Sequence, residues 1–150
     1  MSIGKDSEEL HRRKETARAG GQGKSRERHL ASGKLLVRQR LELLFDDGFE
    51  FEDGLLAAGE SGLPADGIIT CIGKVDGRDI AVIANDATVK AGTWGRQALL
   101  KFNRMQDLAK DTGLPLLYLV DSAGARIDEQ KTLFLGRNGW GNIWYNQVQA

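Results

Sequence analysis

Ile68-Ile69-Thr70-Cys71-Ile72-Gly73 and Ile80-Ala81-Val82-Ile83-Ala84, set around Val75-Asp76-Gly77-Arg78, decide the fold. Both runs are short and rich in β-branched residues, and Asp-Gly between such runs tolerates the positive φ angles of a type I′ hairpin turn. The spacing predicts an antiparallel hairpin. Cys71 falls in mid-strand, with no neighbour in sequence to depress its pKa, and reads as inert packing. Beyond the hairpin, Asn85 to Gly95 is a loop of small residues, followed by a helix of about four turns to Asp111. Ala98, Phe102, Met105 and Ala109 share one face of it, and Thr112-Gly113 supplies the stop. Pro115 to Val120 is almost wholly apolar, the mark of a strand buried on both faces of a parallel sheet. Strand, helix and strand then form a right-handed crossover. Ligands of such sheets sit beyond the carboxyl ends of the strands, which selects the loops starting at Asn85 and Asp121.

Upstream, Phe49 to Gly67 is Gly- and acid-rich and reads as an irregular connection anchored by Phe51, Leu55 and Leu56. Leu30, Val37, Leu41 and Leu44 recur at helical steps within a segment from Arg26 to Leu44, which Asp46-Asp47-Gly48 ends. Residues 5–19 read as a solvated helix, with Glu8/Arg12 and Glu9/Arg13 at i,i+4 and Leu10 as its one sizeable apolar residue. Downstream, Gly136 to Ala150 looks like a further helix with Ile143 and Val148 turned inward; no stop signal closes it, so the chain is expected to end inside an element. The expected organisation is a helical basic arm over residues 1–45 and an α/β domain over 46–150.

With 150 residues, 41% hydrophobic and 28% charged, the chain can bury a core and is neither fibrous nor disordered in composition. No apolar run reaches the ~18–20 residues of a membrane-spanning helix. The first nine residues lack the apolar core of a secretory signal, so a cytoplasmic address is expected. One cysteine excludes an internal disulfide and any multi-cysteine zinc site, and no metal is expected. The formal net charge of zero hides an asymmetry: eleven Lys/Arg against five Asp/Glu in residues 1–40, and ten against sixteen in 41–150. A basic arm of net +6 ahead of a body of net −6 can attract phosphates or an acidic partner, or fold onto its own body.

The chemistry concentrates in Val120-Asp121-Ser122-Ala123-Gly124-Ala125-Arg126-Ile127-Asp128-Glu129. Side chains this small leave successive main-chain N–H groups uncovered after a strand, where they can meet a developing oxyanion. The same pattern also describes a plain tight turn.

This segment resembles the Asp-Ser-Gly-Gly-Ala-Arg-Ile-Gln-Glu motif of the carboxyltransferase (β) subunits of propionyl-CoA and related biotin-dependent acyl-CoA carboxylases. Three further stretches, in family order, share the resemblance. Gly33-Lys34-Leu35 with Arg38-Gln39-Arg40-Leu41 is similar to Gly-Lys-Leu-x-x-Arg-Glu-Arg-Ile. Leu43-Leu44-Phe45-Asp46-Asp47-Gly48-Phe49 resembles Leu-Leu-Asp-Pro-Gly-Ser/Thr-Phe, and Thr88-Val89-Lys90-Ala91-Gly92-Thr93 resembles Thr-Val-x-Gly-Gly-Ser/Thr. Gln39, Asp47, Ala91 and Ala123 depart from the pattern; alanine at 91 or 123 is costly wherever φ must be positive.

The resemblance implies a crotonase-like ββα superhelix, here the first part of an acyl-CoA domain, within a subunit several-fold longer that forms dimers or hexamers. It implies CO2 transfer from carboxybiotin, carried on a separate biotin carboxylase/biotin carrier subunit or domain, to a short acyl-CoA such as propionyl-CoA or acetyl-CoA. Transferred by position, Gly124 and Ala125 would supply backbone oxyanion donors. Ser122, Ala123, Arg126, Ile127, Ala91, Gly92 and Thr93 would line the acyl-CoA site, and Lys34, Arg38 and Arg40 would meet a CoA phosphate. Each basic residue keeps a structural alternative: Arg126 bonding Asp121 or Asp128, Lys34, Arg38 and Arg40 pinning the arm, and Ala91-Gly92-Thr93 simply entering a helix. A biotin-dependent acyl-CoA decarboxylase of the same fold would share these motifs. A non-catalytic CoA- or nucleic-acid-binding module using the basic arm is the rival of another class; residues 1–40 contain no aromatic for base stacking.

Overall fold

The structure, a computed structural model, describes residues 3–134, 136 and 139–149. Its elements are α1 (Ile3–Ala19), α2 (Lys24–Ala31), α3 (Val37–Leu44), β1 (Phe49–Asp53), β2 (Ile68–Val75), β3 (Arg78–Asn85), α4 (Arg96–Thr112), β4 (Leu116–Leu119), α5 (Gln130–Leu133) and α6 (Trp140–Gln149). The hairpin forms as its sequence dictates: β2 and β3 pair in continuous antiparallel register from Ile68↔Asn85 to Val75↔Arg78. Asp76 and Gly77 turn it with φ of 49° and 72°. The Asp46 carboxylate accepts from both turn amides, Asp76 N at 3.1 Å and Gly77 N at 2.9 Å, so the end of α3 is tied to the hairpin.

Strand periodicity sorts the core into two layers. Ile68, Ala81 and Ile83 face Ala98, Leu99, Phe102, Met105 and Ala109 of α4, with Ile143 of α6 behind. The alternate residues Ile69, Cys71, Val82 and Ala84 face Val37, Leu41 and Phe45 of the α3 segment. Burial pushes the Cys71 thiol up to about 12, the behaviour of an inert packing group. The sheet order is β1-β2-β3-β4, and β3 pairs parallel with β4 through the α4 crossover, giving a ββα unit followed by a parallel strand.

Several expectations need correction. Residues 49–67 are not wholly irregular: β1 pairs antiparallel with β2 across a register break between Phe49 and Phe51. Of the expected anchors, Phe51 and Leu56 are 49% and 40% exposed and Leu55 is half-buried, so none is a core residue. The segment from Arg26 to Leu44 is two helices, because Gly33 at φ 77° breaks it. β4 is an edge strand: Leu116 and Tyr118 pack on the α4 layer, while on the other face Leu119 packs on the α3 layer and Leu117 is 37% exposed, so the strand is not fully buried on either face. In α6, Ile143 is buried as expected, whereas Val148 is 80% exposed because it lies off the face that meets α4. Ala150, where that helix was expected to continue, lies outside the described residues.

The basic arm meets its own acidic body at several points. Gly21 N donates to Thr88 Oγ1 at 2.9 Å and Ser25 Oγ to Thr88 O at 2.7 Å. Arg38 forms a bidentate pair with Glu52 at 2.7 and 2.8 Å, and Lys34 pairs with Asp121 at 3.0 Å. Among the described residues, no helix is long and apolar enough to cross a membrane.

Candidate functional site: the loop after β4

The loops leaving β3 and β4 lie side by side at the carboxyl ends of the two parallel strands, where the crossover rule places a ligand. They are laced together by main-chain bonds. Ala123 N donates to Ala91 O at 3.0 Å, Trp94 N to Gly124 O at 2.9 Å, and Arg126 N to Trp94 O at 3.1 Å. The last two bonds make a parallel bridge between Trp94 and Ala125. In such a bridge the partner flanked by both bonds turns its own N–H to the opposite side. Ala125 N–H accordingly finds no acceptor among the described residues, and Ala125 is only half-buried. The Gly124 amide differs: it donates to Ser122 Oγ at 3.1 Å. Of the two expected donors, one stands open and the other is held by a hydroxyl that can rotate.

The 90–93 segment is the platform under this loop. Ala91 O accepts from Ala123 N, Gly92 O accepts from Asn85 Nδ2 at 3.0 Å, and Thr93 O accepts from Arg126 Nη2 at 3.2 Å. Lys90, Ala91 and Gly92 all adopt left-handed backbone, at φ of 43°, 55° and 64°. Alanine there costs about 1–2 kcal/mol relative to right-handed backbone, so the departure from glycine at 91 is a strained one. A Cβ on Gly92 would lie 2.2 Å from Asp121 O, so the two loops touch backbone to backbone. The segment does not open the helix: α4 starts at Arg96, with Gly95 as its N-cap.

Arg126 is not turned to solvent. It is 4% exposed, and its donors are spent inside the protein. Nη1 bonds Asp66 Oδ1 at 2.5 Å and Glu129 Oε1 at 3.2 Å; Nη2 bonds Asp66 O and Thr93 O, each at 3.2 Å; Nε reaches Thr93 Oγ1 at 3.4 Å. Its carboxylate partners are therefore Asp66 and Glu129 rather than Asp121 or Asp128. The same two carboxylates cap α4: Asp66 Oδ2 accepts from Ala98 N and Glu129 Oε2 from Arg96 N, both at 2.7 Å. Gly95 cannot cap the helix with a side chain, since a Cβ there would stand 1.9 Å from Arg126 Nη1.

Among the basic residues expected at a phosphate, Arg38 is excluded by its bidentate hold on Glu52 and its position over the Phe49 ring, 5.9 Å from the centroid. Lys34 is exposed and, among the described residues, paired only with Asp121. Together with Leu35, Arg40 and Val120 those two line an open cavity of about 390 Å³. The Arg40 guanidinium makes no hydrogen bond or ion pair among the described residues. Ser122, Ala123 and Ile127 surround the loop at half to full exposure. Asp66 and Trp94 have no mark in the sequence: Asp66 lies in an acid- and Gly-rich stretch, and the bridge made by Trp94 is main-chain bonding that any residue could supply.

A family model for the carboxyl transferase domain matches residues 28–150. The chain is 52% identical over 138 residues to the uncharacterized carboxylase YngE of Bacillus subtilis (strain 168), an alignment covering 91% of this chain and 27% of that protein. It is 45% identical over 146 residues to the biotin-dependent 3-methylcrotonyl-coenzyme A carboxylase beta1 subunit of Mycobacterium tuberculosis (strain ATCC 25618 / H37Rv), covering 93% of this chain and 27% of that subunit. Among solved structures, the transcarboxylase 12S hexamer assembly with methylmalonyl-coenzyme A and methylmalonic acid bound matches with a TM-score of 0.85 at 28% identity, over 99% of this chain and 30% of that one. The chain thus spans a little under a third of the proteins it matches. With the family's domain matched from residue 28 onward and a crotonase-like ββα frame beneath it, the chain belongs to the carboxyl transferase domain family.

Proposed function

We propose that this chain provides the acyl-CoA side of a carboxyltransferase active site, with the main-chain N–H of Ala125 as the principal oxyanion donor. The observation that carries the reading is that open amide, held in place by a bridge on one side and left without a partner on the other. A thioester oxygen placed there would gain negative charge as a proton leaves the acyl chain, from the α carbon of a saturated acyl-CoA or the γ carbon of 3-methylcrotonyl-CoA, and a fixed dipole aimed at that charge stabilises the transition state without having to reorient. Gly124 becomes a second donor once the Ser122 hydroxyl turns away. Ser122, Ala123 and Ile127 flank the acyl chain, and Ala91, Gly92 and Thr93 support the loop from below. When bound, carboxybiotin supplies the CO2 and the base for that proton; it is carried on a separate subunit or domain, and no residue described here is assigned to hold it.

The groove beside the loop takes the phosphates of CoA. Lys34 is held, among the described residues, by one exposed ion pair, worth roughly 0–1 kcal/mol, which a phosphate can displace. Arg40, whose fork has no partner among the described residues, can meet two phosphate oxygens. The substrate is a short acyl-CoA. The 45% identity to a 3-methylcrotonyl-coenzyme A carboxylase subunit supports 3-methylcrotonyl-CoA as a candidate beside the propionyl-CoA or acetyl-CoA suggested by the motifs. Self-association into dimers or hexamers, a biotin carboxylase and carrier partner, and a cytoplasmic setting belong to the same proposal.

The test is Ala125→Pro in a full-length subunit carrying this chain. The variant deletes a donor that no described residue uses, so the fold loses no hydrogen bond. Loss of one such donor costs on the order of 10²–10³ in kcat with KM nearly unchanged. An unchanged kcat in a folded variant rules out the oxyanion role.

A further inference from the structure

The best-connected group near the loop touches no open space. Arg126 carries five N–H donors in a planar fork, and the structure gives acceptors to both terminal nitrogens and to Nε. Those acceptors come from three separate segments: Asp66 before β2, Thr93 before α4, and Glu129 after the loop. Asp66 is 1% exposed and held at φ 55°, so its carboxylate cannot drift. Two carboxylates against one guanidinium leave a net negative charge, and the positive end of α4 lies directly on it through Ala98 N and Arg96 N. Main-chain bonds from Gly124 and Arg126 to Trp94 then transmit the position of this knot to Ala125, which sits between them.

We infer that Arg126, locked by Asp66 and Glu129 onto the start of α4, is a positioning residue for the Ala125 amide rather than a ligand for the substrate's phosphates. This rests on the oxyanion reading of Ala125 given above. Lysine cannot replace it, because an ammonium is a point donor that can meet Asp66 but cannot span Asp66, Thr93 and Glu129 together. Moving a reacting group by ~1 Å can cost about 100-fold in rate while leaving binding intact, because the contacts to the rest of the substrate lie elsewhere.

The experiment compares Arg126→Lys, Glu129→Ala and Ala125→Pro in the full-length subunit. It measures kcat and KM for carboxylation of 3-methylcrotonyl-CoA and propionyl-CoA, the Kd for each acyl-CoA, and the melting temperature. Arg126→Lys is expected to lower kcat by about tenfold or more with acyl-CoA Kd within about twofold. Glu129→Ala removes one of the two carboxylate holds at a partly exposed position, so it keeps the fold even if Arg126→Lys does not; it is expected to lower kcat by a smaller factor. A rise in acyl-CoA Kd with kcat preserved in either variant overturns the inference, since it makes Arg126 a binding group. So does a lower melting temperature with both constants unchanged, which makes the knot purely structural. If Ala125→Pro keeps its kcat while Arg126→Lys loses it, the oxyanion reading fails, and positioning of that amide is refuted along with it.

Discussion

Gly95→Ala should destabilise the chain far more than its backbone suggests. At φ −100° and ψ −173°, residue 95 sits in extended backbone that any residue adopts. Replacing glycine by alanine at a compatible position ordinarily stabilises by about 0.4–1 kcal/mol through the unfolded state. Here the new Cβ would stand 1.9 Å from Arg126 Nη1 and 2.6 Å from Cζ, against a contact distance of about 3.5 Å. The guanidinium must withdraw by more than an ångström, which breaks its bonds to Asp66 at 2.5 Å and Glu129 at 3.2 Å. Breaking a buried pair and leaving one charge uncompensated costs roughly 3–5 kcal/mol, so the net loss should be about 2–4 kcal/mol. Urea unfolding followed by tryptophan fluorescence suits the question, because Trp94 stacks on Trp140 beside the knot at 4.5 Å and 8°. The decisive comparison is a cycle: in an Arg126→Met/Asp66→Asn background, which removes the charge with its partner, Gly95→Ala should become neutral or slightly stabilising. Effects that add to within about 0.5 kcal/mol would show that the cost arises elsewhere, and the steric argument would fail.

Two other outcomes follow from strained or buried groups. Ala91→Gly relieves left-handed alanine at φ 55°; the relief of about 1–2 kcal/mol is partly offset by glycine's greater entropy when unfolded, so a gain of roughly 0.5–1 kcal/mol is expected in the same unfolding assay. Lys101 is 3% exposed, with Nζ bonded to Ala65 O and Ile68 O at 3.0 and 2.5 Å. Burial lowers its pKa from the usual 10.5 to about 8. Between those two values the unfolded chain holds a proton that the folded chain has released, so stability contributed by this group rises with pH. The stability of wild type relative to Lys101→Met should increase from pH 8 to pH 10 by about 1.4 kcal/mol per unit at most; a flat or falling difference contradicts the burial argument.

How far the sequence revealed the fold depended on whether the signal was local. The hairpin was legible because Asp76-Gly77 and its flanking runs carry turn type and period together, and α4 because its buried face repeats without interruption up to the left-handed Gly113. β1 was hidden: its two phenylalanines alternate with acids inside a Gly-rich stretch, and one of those acids, Glu52, belongs there only because Arg38 meets it. The break at Gly33 was masked by leucines that keep helical spacing across it. The apolar run ending at Val120 suggested burial on both faces, but apolarity does not say what covers a strand. At the site, the small-residue loop was readable, whereas the role of Arg126 was not. Its principal partner is 60 residues away, and only the fold brings them together.

The central claim is that Ala125 offers its amide to the thioester oxygen. A crystal structure of the full-length subunit with an acyl-CoA or enolate analogue bound tests it most directly. The account predicts the thioester or enolate oxygen at about 2.7–3.1 Å from Ala125 N, with Arg126 still locked to Asp66 and clear of the phosphates. A thioester seated on another amide, or a CoA phosphate in the hands of Arg126, would contradict it.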